Sequence, residues 1–212
     1  MFDEKPHILL SNASLDKLYD VRKDNPTNII FSYLNVNSVR NKLQDLKSLI
    51  GGKVDFLAIG ESKLDKSFPT AQLMIDGYSK PYRLDLTYRS GGILIYVNEN
   101  IPSRFLDSYI IKKDLQIIPI AINIRKQKWI VLSIYRNPKQ CIKYFLAELS
   151  SIIDFYNSKF ENLLVMGDFN TEADTPEFID FLTKHNLYSH IKEKNLLEVQ
   201  RRFMYRSNTF QS

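Results

Sequence analysis

The clearest signal along the chain is a series of short apolar runs that end abruptly in polar residues. Asn28–Asn35 reads NIIFSYLN, a run suited to a buried strand. From Ser38, as an N-cap, to Ile50, the apolar positions Val39, Leu43, Leu46, Leu49 and Ile50 fall on one helical face. Gly51-Gly52 stops that helix, and VDFLAI (54–59) follows as the next strand. GGILIYV begins a further strand at Gly91-Gly92, and Ile117–Ile124 and Trp129–Tyr135 form a hairpin around the basic stretch 125–128. Phe145, Leu149, Ile152, Ile153 and Tyr156 repeat at helical spacing within 141–157. Asn162–Met166 is a strand, and a helix capped by Asp174 or Thr175 runs from Pro176 to about His185. After Asn186 the pattern fades. Residues 1–27 read as a leader with a short helix around Ser14–Tyr19, ending in the Asn25-Pro26 turn signal. Strands and helices alternate throughout, so the expected class is α/β, with sheets covered by helices.

Composition narrows this picture without deciding it. The 212 residues suit one large domain, and 44% hydrophobic with 25% charged residues is ordinary for a globular chain. A net charge of +5 favours polyanionic partners but does not by itself specify nucleic acid. A single cysteine, Cys141, excludes an internal disulfide and a cysteine-rich zinc site. No stretch approaches the roughly 20 apolar residues of a spanning helix, and no secretory signal is present. The expectation is an intracellular protein with no membrane partner.

Three strand ends carry the candidate chemistry: Asn35-Val36-Asn37, Gly60-Glu61-Ser62 and Gly167-Asp168-Phe169-Asn170. In an extended segment, residues two apart point the same way, which puts Asn35 with Asn37 and Asp168 with Asn170. Strand ends are where α/β folds build sites. A carboxylate or two with neighbouring amides suits magnesium, which takes oxygen ligands and keeps waters and substrate phosphate. Each residue also has an ordinary reading. Glu61 serves as a solvated loop acid, Asp168 as a turn residue, Asn35 as a turn closer. Tyr135 reads either as a phosphate donor or as a half-buried strand terminus, and Arg89-Ser90-Gly91-Gly92 as a DNA-facing loop or a turn that needs glycine. None of His7, His185 and His190 falls at a strand end, so no general base is visible.

The ordered set LNVNSVRNK (34–42), IGESKLD (59–65), RSGGILIYV (89–97), LSIYRNP (132–138) and VMGDFNT (165–171) resembles the endonuclease/exonuclease/phosphatase family, across roughly residues 28–212. The wording is most similar to the endonucleases of jockey- and CR1-like non-LTR retrotransposons. The resemblance implies a DNase I-like four-layer sandwich of two packed mixed β-sheets flanked by helices. It implies hydrolysis of DNA phosphodiesters with Mg2+ or Mn2+, in a monomer acting in the nucleus, with a reverse transcriptase domain following in a complete element. It assigns Glu61 and Asn37 to the metal pocket, Asn35 to the metal and phosphate pocket, Tyr135 and Asn170 to the phosphate, and Asp168 to the attacking water. The family continues through a strand carrying Ile-Asp and ends on Ser-Asp-His, which have no counterparts before Ser212. From this the expectation is a domain lacking its last strands and impaired in catalysis, the alternative being a non-catalytic nucleic-acid-binding module.

Overall fold

The computed structural model describes residues 12–107, 109–111, 115–171, 175–189 and 202–207. Helix α1 (Asn12–Asp24) precedes strand β1 (Phe31–Asn35), helix α2 (Leu43–Ile50) and strand β2 (Phe56–Gly60). Strands β3 (Tyr82–Leu84) and β4 (Ile93–Val97) complete a first sheet in the order β1-β2-β4-β3. The second sheet comprises β5 (Ser103–Phe105), β6 (Tyr109–Ile111), β7 (Leu115–Ile124), β8 (Gln127–Arg136), β9 (Asn162–Asp168), β10 (Tyr188–Ser189) and β11 (Arg202–Ser207). Its order is β10-β11-β9-β8-β7-β5, with β6 also on β7. Helix α3 (Ile142–Asn157) connects the parallel pair β8 and β9, and α4 (Pro176–His185) follows β9.

Three apolar layers hold these elements in four tiers. Between the sheets lie Phe56, Ala58, Ile93, Ile95, Ile120, Val131, Leu164 and Met166. Outside the first sheet, Leu57, Ile59, Leu94 and Tyr96 meet Leu46, Leu49 and Ile50 of α2. Outside the second, Ile130, Leu132, Leu163 and Val165 meet Phe145, Leu149 and Ile153 of α3 and Phe178 of α4. Even and odd positions of β2 and β9 thus bury opposite faces. This is why those strands read as continuous apolar runs and not as alternating ones. The arrangement is the expected four-layer sandwich of two mixed sheets flanked by helices.

Several boundaries differ from the sequence reading, each for a physical reason. Helix α1 spans more than Ser14–Tyr19 and is docked, not loose: Arg22 pairs with Asp55 and donates to the carbonyls of Asn28 (3.0 Å) and Lys53 (3.3 Å). Helix α2 begins at Leu43, five residues after Ser38. Asn37 and Ser38 have φ of 47° and 89°, incompatible with a helix start, and their stretch pairs instead with the loop after β2 through Ser38 N–H to Glu61 O (2.8 Å) and Val39 N–H to Ser62 O (3.1 Å). Thr175 precedes α4, but its side chain makes no cap hydrogen bond. Past Asn186 the fading pattern conceals β10 and β11, which extend the second sheet beyond β9. The basic turn is a tight two-residue one, Arg125-Lys126, with both φ values positive.

Candidate active site

The carboxyl ends of β1, β2, β8 and β9 converge on one edge of the sandwich. Asn35 ends β1 in register with Gly60 of β2, and Tyr135 of β8 is in register with Asp168 at the end of β9. The Asn35 amide joins the two sheets. Its Nδ2 donates to Glu61 Oε1 and to Asp168 Oδ2, each at 3.0 Å. The Tyr135 hydroxyl donates to the same Glu61 Oε1 at 3.5 Å. Four of the six residues singled out from the sequence therefore form one cluster: Asn35, Glu61, Tyr135 and Asp168.

The other two sit beside it. Asn37 and Asn170 have φ of 47° and 46°, so the extended alternation stops before each of them. Asn37 is exposed; its N–H donates to Asn35 Oδ1 (3.2 Å), and its own Oδ1 accepts from the Lys63 ammonium. Asn170 returns its N–H to Asp168 Oδ1 (3.0 Å), while its amide nitrogen donates to Arg136 O (2.6 Å). Glu61 and Lys63 are also left-handed, at 52° and 50°. Non-glycine residues in this region are uncommon and costly, and such strain concentrates at functional sites.

Burial gives the cluster its electrostatics. Asp168 is only 5% exposed, and desolvation raises its pKa above the ordinary carboxylate value. The hydrogen bonds from Asn35 and the Asn170 N–H oppose that rise. Desolvation, then the charges of Glu61 and Asp168, push the Tyr135 phenol up to about 12, so it remains a proton donor at neutral pH. Positive groups border the cluster. Lys63 lies 3.7 Å from Glu61 Oε2, and the Lys42 ammonium, held on Val36 O, has a pKa lowered by burial and then by Lys63.

Oxygen donors and net negative charge are what a hard divalent cation needs. No group of three or more His, Cys, Asp or Glu side chains able to hold a metal occurs among the described residues. A dedicated protein cage is therefore absent there. Magnesium does not require one, since one or two carboxylates with waters and substrate phosphate suffice. The Lys63 ammonium lies against oxygens of both Glu61 and Asn37, so these acceptors already face a positive charge. Glu61, with Asn37 and Asp168 beside it, fits the group.

Sequence reasoning missed three supporting residues. Arg136 is 4% exposed and binds the carbonyls of Asn137 (2.8 Å), Gln140 (3.0 Å) and Asn170 (3.2 Å), tying the loop after β8 to the loop after β9. Gln116, a lone amide in an apolar strand, accepts Gly92 N–H at 2.7 Å and anchors the 89–92 loop, whose Gly91 and Gly92 have positive φ. Tyr33 lies buried on the inward face of β1, where no motif marks it. His185, the one histidine among the described residues, bonds Ser150 Oγ (2.8 Å) between α3 and α4, as befits a structural histidine.

Two face-to-face mixed sheets, helices outside them and a polar cluster on their shared carboxyl edge define a DNase I-like sandwich. A family model described as endonuclease/exonuclease/phosphatase family matches residues 32–211, and the chain belongs to that family. Solved structures with the same fold include the endonuclease domain of TRAS1, a telomere-specific non-LTR retrotransposon (TM-score 0.57, 12% identity, 85% of this chain and 86% of that one). The 3′ phosphatase NExo from Neisseria, bound to a product DNA hairpin, is similar as well (TM-score 0.57, 18% identity, 85% and 87%). So is an AP endonuclease from Archaeoglobus fulgidus (TM-score 0.56, 15% identity, 84% and 86%). No curated protein matches the sequence. No helix among the described residues is long and apolar enough to cross a membrane.

Proposed function

We propose that this chain is a divalent-metal-dependent phosphodiesterase acting on DNA, an endonuclease of the retrotransposon type. The observation that carries the reading is the Asn35 amide holding Glu61 and Asp168 together across the two sheets. Family membership supports hydrolase chemistry, and the NExo and TRAS1 structures support DNA as the substrate class. A nuclear site of action follows from that substrate.

Each residue then has a role set by its chemistry. Glu61, with Asn37 beside it, would hold Mg2+ or Mn2+, which supplies charge neutralisation at the phosphate and leaving oxygen. Asp168 accepts a hydrogen bond from the attacking water and takes its proton, a task for which a raised carboxylate pKa is suited. Its two oxygens are already oriented by Asn35 and by the Asn170 N–H, so water meets a fixed acceptor. Tyr135 keeps its proton and donates it as a hydrogen bond to a non-bridging phosphate oxygen. Lys63 and Lys42 draw the polyanion to the edge where these groups meet.

The test is nicking of supercoiled plasmid by the purified chain with Mg2+ or Mn2+ and with EDTA, beside Asp168→Ala and a longer chain continuing through the family's Ser-Asp-His segment. Nicking that needs metal and drops by about 10²-fold or more in Asp168→Ala is the expected result. Equal nicking by Asp168→Ala would refute the site. DNA binding without cleavage by every chain would replace the enzyme with a binding module.

A further inference from the structure

The loop that carries Glu61 is strained. Glu61 and Lys63 have φ of 52° and 50°, and left-handed backbone costs an ordinary residue about 1–2 kcal/mol. Two such residues around Ser62 persist only where their surroundings impose them. One flank does so through its carbonyls: Ser62 N–H donates to Gly92 O (3.1 Å) and Lys63 N–H to Gly91 O (3.0 Å). The other flank does so through its donors. Ser38 N–H reaches Glu61 O (2.8 Å), and Val39 N–H reaches Ser62 O (3.1 Å).

The next rung of that series is made by a side chain. Arg40 N–H turns back to Ser38 Oγ (3.4 Å), and Lys63 O accepts instead from Arg40 Nε at 3.2 Å. The guanidinium is aimed from two further sides. Its Nη2 donates to Asp65 Oδ2 at 2.7 Å, and its central carbon lies 5.1 Å from the centroid of the Phe68 ring. Asp65 is itself held, its Oδ1 by Ser67 N–H (2.9 Å) and its carbonyl by Arg83 Nη2 (2.9 Å). A planar fork with a flat face meets all three demands on Arg40, and a lysine ammonium does not.

Stability alone does not account for the arrangement. The Arg40 side chain is 33% exposed, and an ion pair at such a site contributes little. Arg83 is the better stabiliser of this loop. Its side chain is 15% exposed and donates to the Asp85 carboxylate, the Asp65 and Phe68 carbonyls and the Thr70 hydroxyl. Arg83 thus ties residues 65–70 to β3, whereas Arg40 ties Lys63, two residues from Glu61.

We propose that Arg40 is a positioning residue for the cation site: by holding Lys63 O, its guanidinium fixes the left-handed backbone of residues 61–63 and so aims the Glu61 carboxylate. This rests on the phosphodiesterase reading for its consequence in catalysis, and on the Glu61 cation site alone for its effect on binding. The sign of that effect separates aim from charge. Arg40 is a cation on the loop that carries Glu61, so repulsion alone would make its removal tighten the binding of a divalent ion. Loss of aim weakens it.

The test compares Arg40→Met, Arg40→Lys and Arg83→Met with the parent chain. Three quantities are measured: the Kd for Mn2+ by electron paramagnetic resonance, the melting temperature without metal, and plasmid nicking at a fixed, subsaturating Mn2+ concentration. Both Arg40 variants should weaken Mn2+ binding by about tenfold, as loss of a group that orients a ligand typically does, and nicking should fall in step. Arg83→Met removes more hydrogen bonds, so it should lower the melting temperature further while leaving Mn2+ affinity unchanged. Tighter or unaltered Mn2+ binding in Arg40→Met overturns the proposal, and so does parent-like affinity in Arg40→Lys. Equal weakening in Arg83→Met overturns it too, since loop stability and not the bond to Lys63 O would then set the affinity. If Arg40→Met does not fold, Arg40→Lys, which keeps the charge and the stem, decides the matter. If the parent chain binds Mn2+ but does not nick DNA, the phosphodiesterase reading fails on its own, and the Mn2+ comparison still decides Arg40. If it binds no Mn2+, both ideas fall.

Discussion

Gly167→Ala should damage this protein out of proportion to the one methyl group it adds. Gly167 lies opposite Ile134 in the parallel ladder of β8 and β9, one residue before Asp168. A Cβ there would fall 2.1 Å from Ile134 O, 2.8 Å from its carbonyl carbon and 2.9 Å from its nitrogen. Van der Waals contact lies near 3.5 Å, so the strands must separate by roughly 1 Å, against a normal spacing of about 4.8 Å. All three obstructing atoms are backbone, and no side chain can swing aside. Overpacking of this kind costs about 1–3 kcal/mol, and the ladder bonds it strains contribute about 0.5–1.5 kcal/mol each. With two such bonds strained the sum is about 2–6 kcal/mol, a large fraction of a typical stability of about 5–15 kcal/mol. At about 2–4 °C per kcal/mol for a chain of this length, the melting temperature should fall by on the order of 10 °C. Gly77→Ala is the control. Its φ is also positive (81°), yet its Cβ would meet nothing within 4 Å. Differential scanning fluorimetry on the two variants separates close approach from backbone conformation. If Gly167→Ala loses no more than Gly77→Ala, the close-packed glycine is not what fixes the strand behind Asp168.

Three further outcomes are expected. The activity–pH profile should lose activity on acidification earlier than an ordinary carboxylate would dictate. The folded protein holds the Asp168 proton to higher pH, and only the ionised form accepts a proton, so activity rises with pH through the raised value; a profile flat across that range would contradict the assignment of Asp168 as base. Lys63→Met should tighten Mn2+ binding by about tenfold, since it removes a cation 3.7 Å from Glu61 Oε2. Isothermal titration showing weaker binding would instead make Lys63 part of the cation site's support. Arg136→Met should lower stability by about 2–4 kcal/mol, because three carbonyls lose a shared buried donor. Denaturant titration reads this directly, and a loss under 1 kcal/mol would mean that the loops after β8 and β9 hold themselves.

The legible parts of the sequence were those in which local pattern and tertiary environment agree. Strands β2, β4 and β9 are buried on both faces, so FLAI, ILIYV and LLVM announce themselves as apolar runs. The abrupt polar ends of β1, β2 and β9 gave Asn35, Glu61 and Asp168, all now found in one cluster. The short edge strands β3 and β5 were invisible because two of the three residues of β3 and all three of β5 are half-buried or exposed, leaving no periodicity to count. The left-handed backbone at Asn37 and Asn170, which ends the alternation on which their side was inferred, is announced by nothing in the sequence. Tyr33 was beyond reach, since its place beside Gly60 is set only by the register of β1 on β2. Gln116 was within reach: an amide amid LQIIPIAINI is a buried polar group asking for a partner.

The two sheets are also two stretches of chain. Residues 31–97 supply every strand of the first, and strands of the second lie between 103 and 207. Asn35 and Glu61 thus come from one contiguous half, and Tyr135 and Asp168 from the other. Neither half holds the four-residue cluster on its own. The cluster is created by their docking, and the 3.0 Å bond from Asn35 to Asp168 is its keystone. On the proposed function, activity would be a readout of assembly: with the connection at residues 98–102 cut, it would return only as fast as the halves find each other and close the seam.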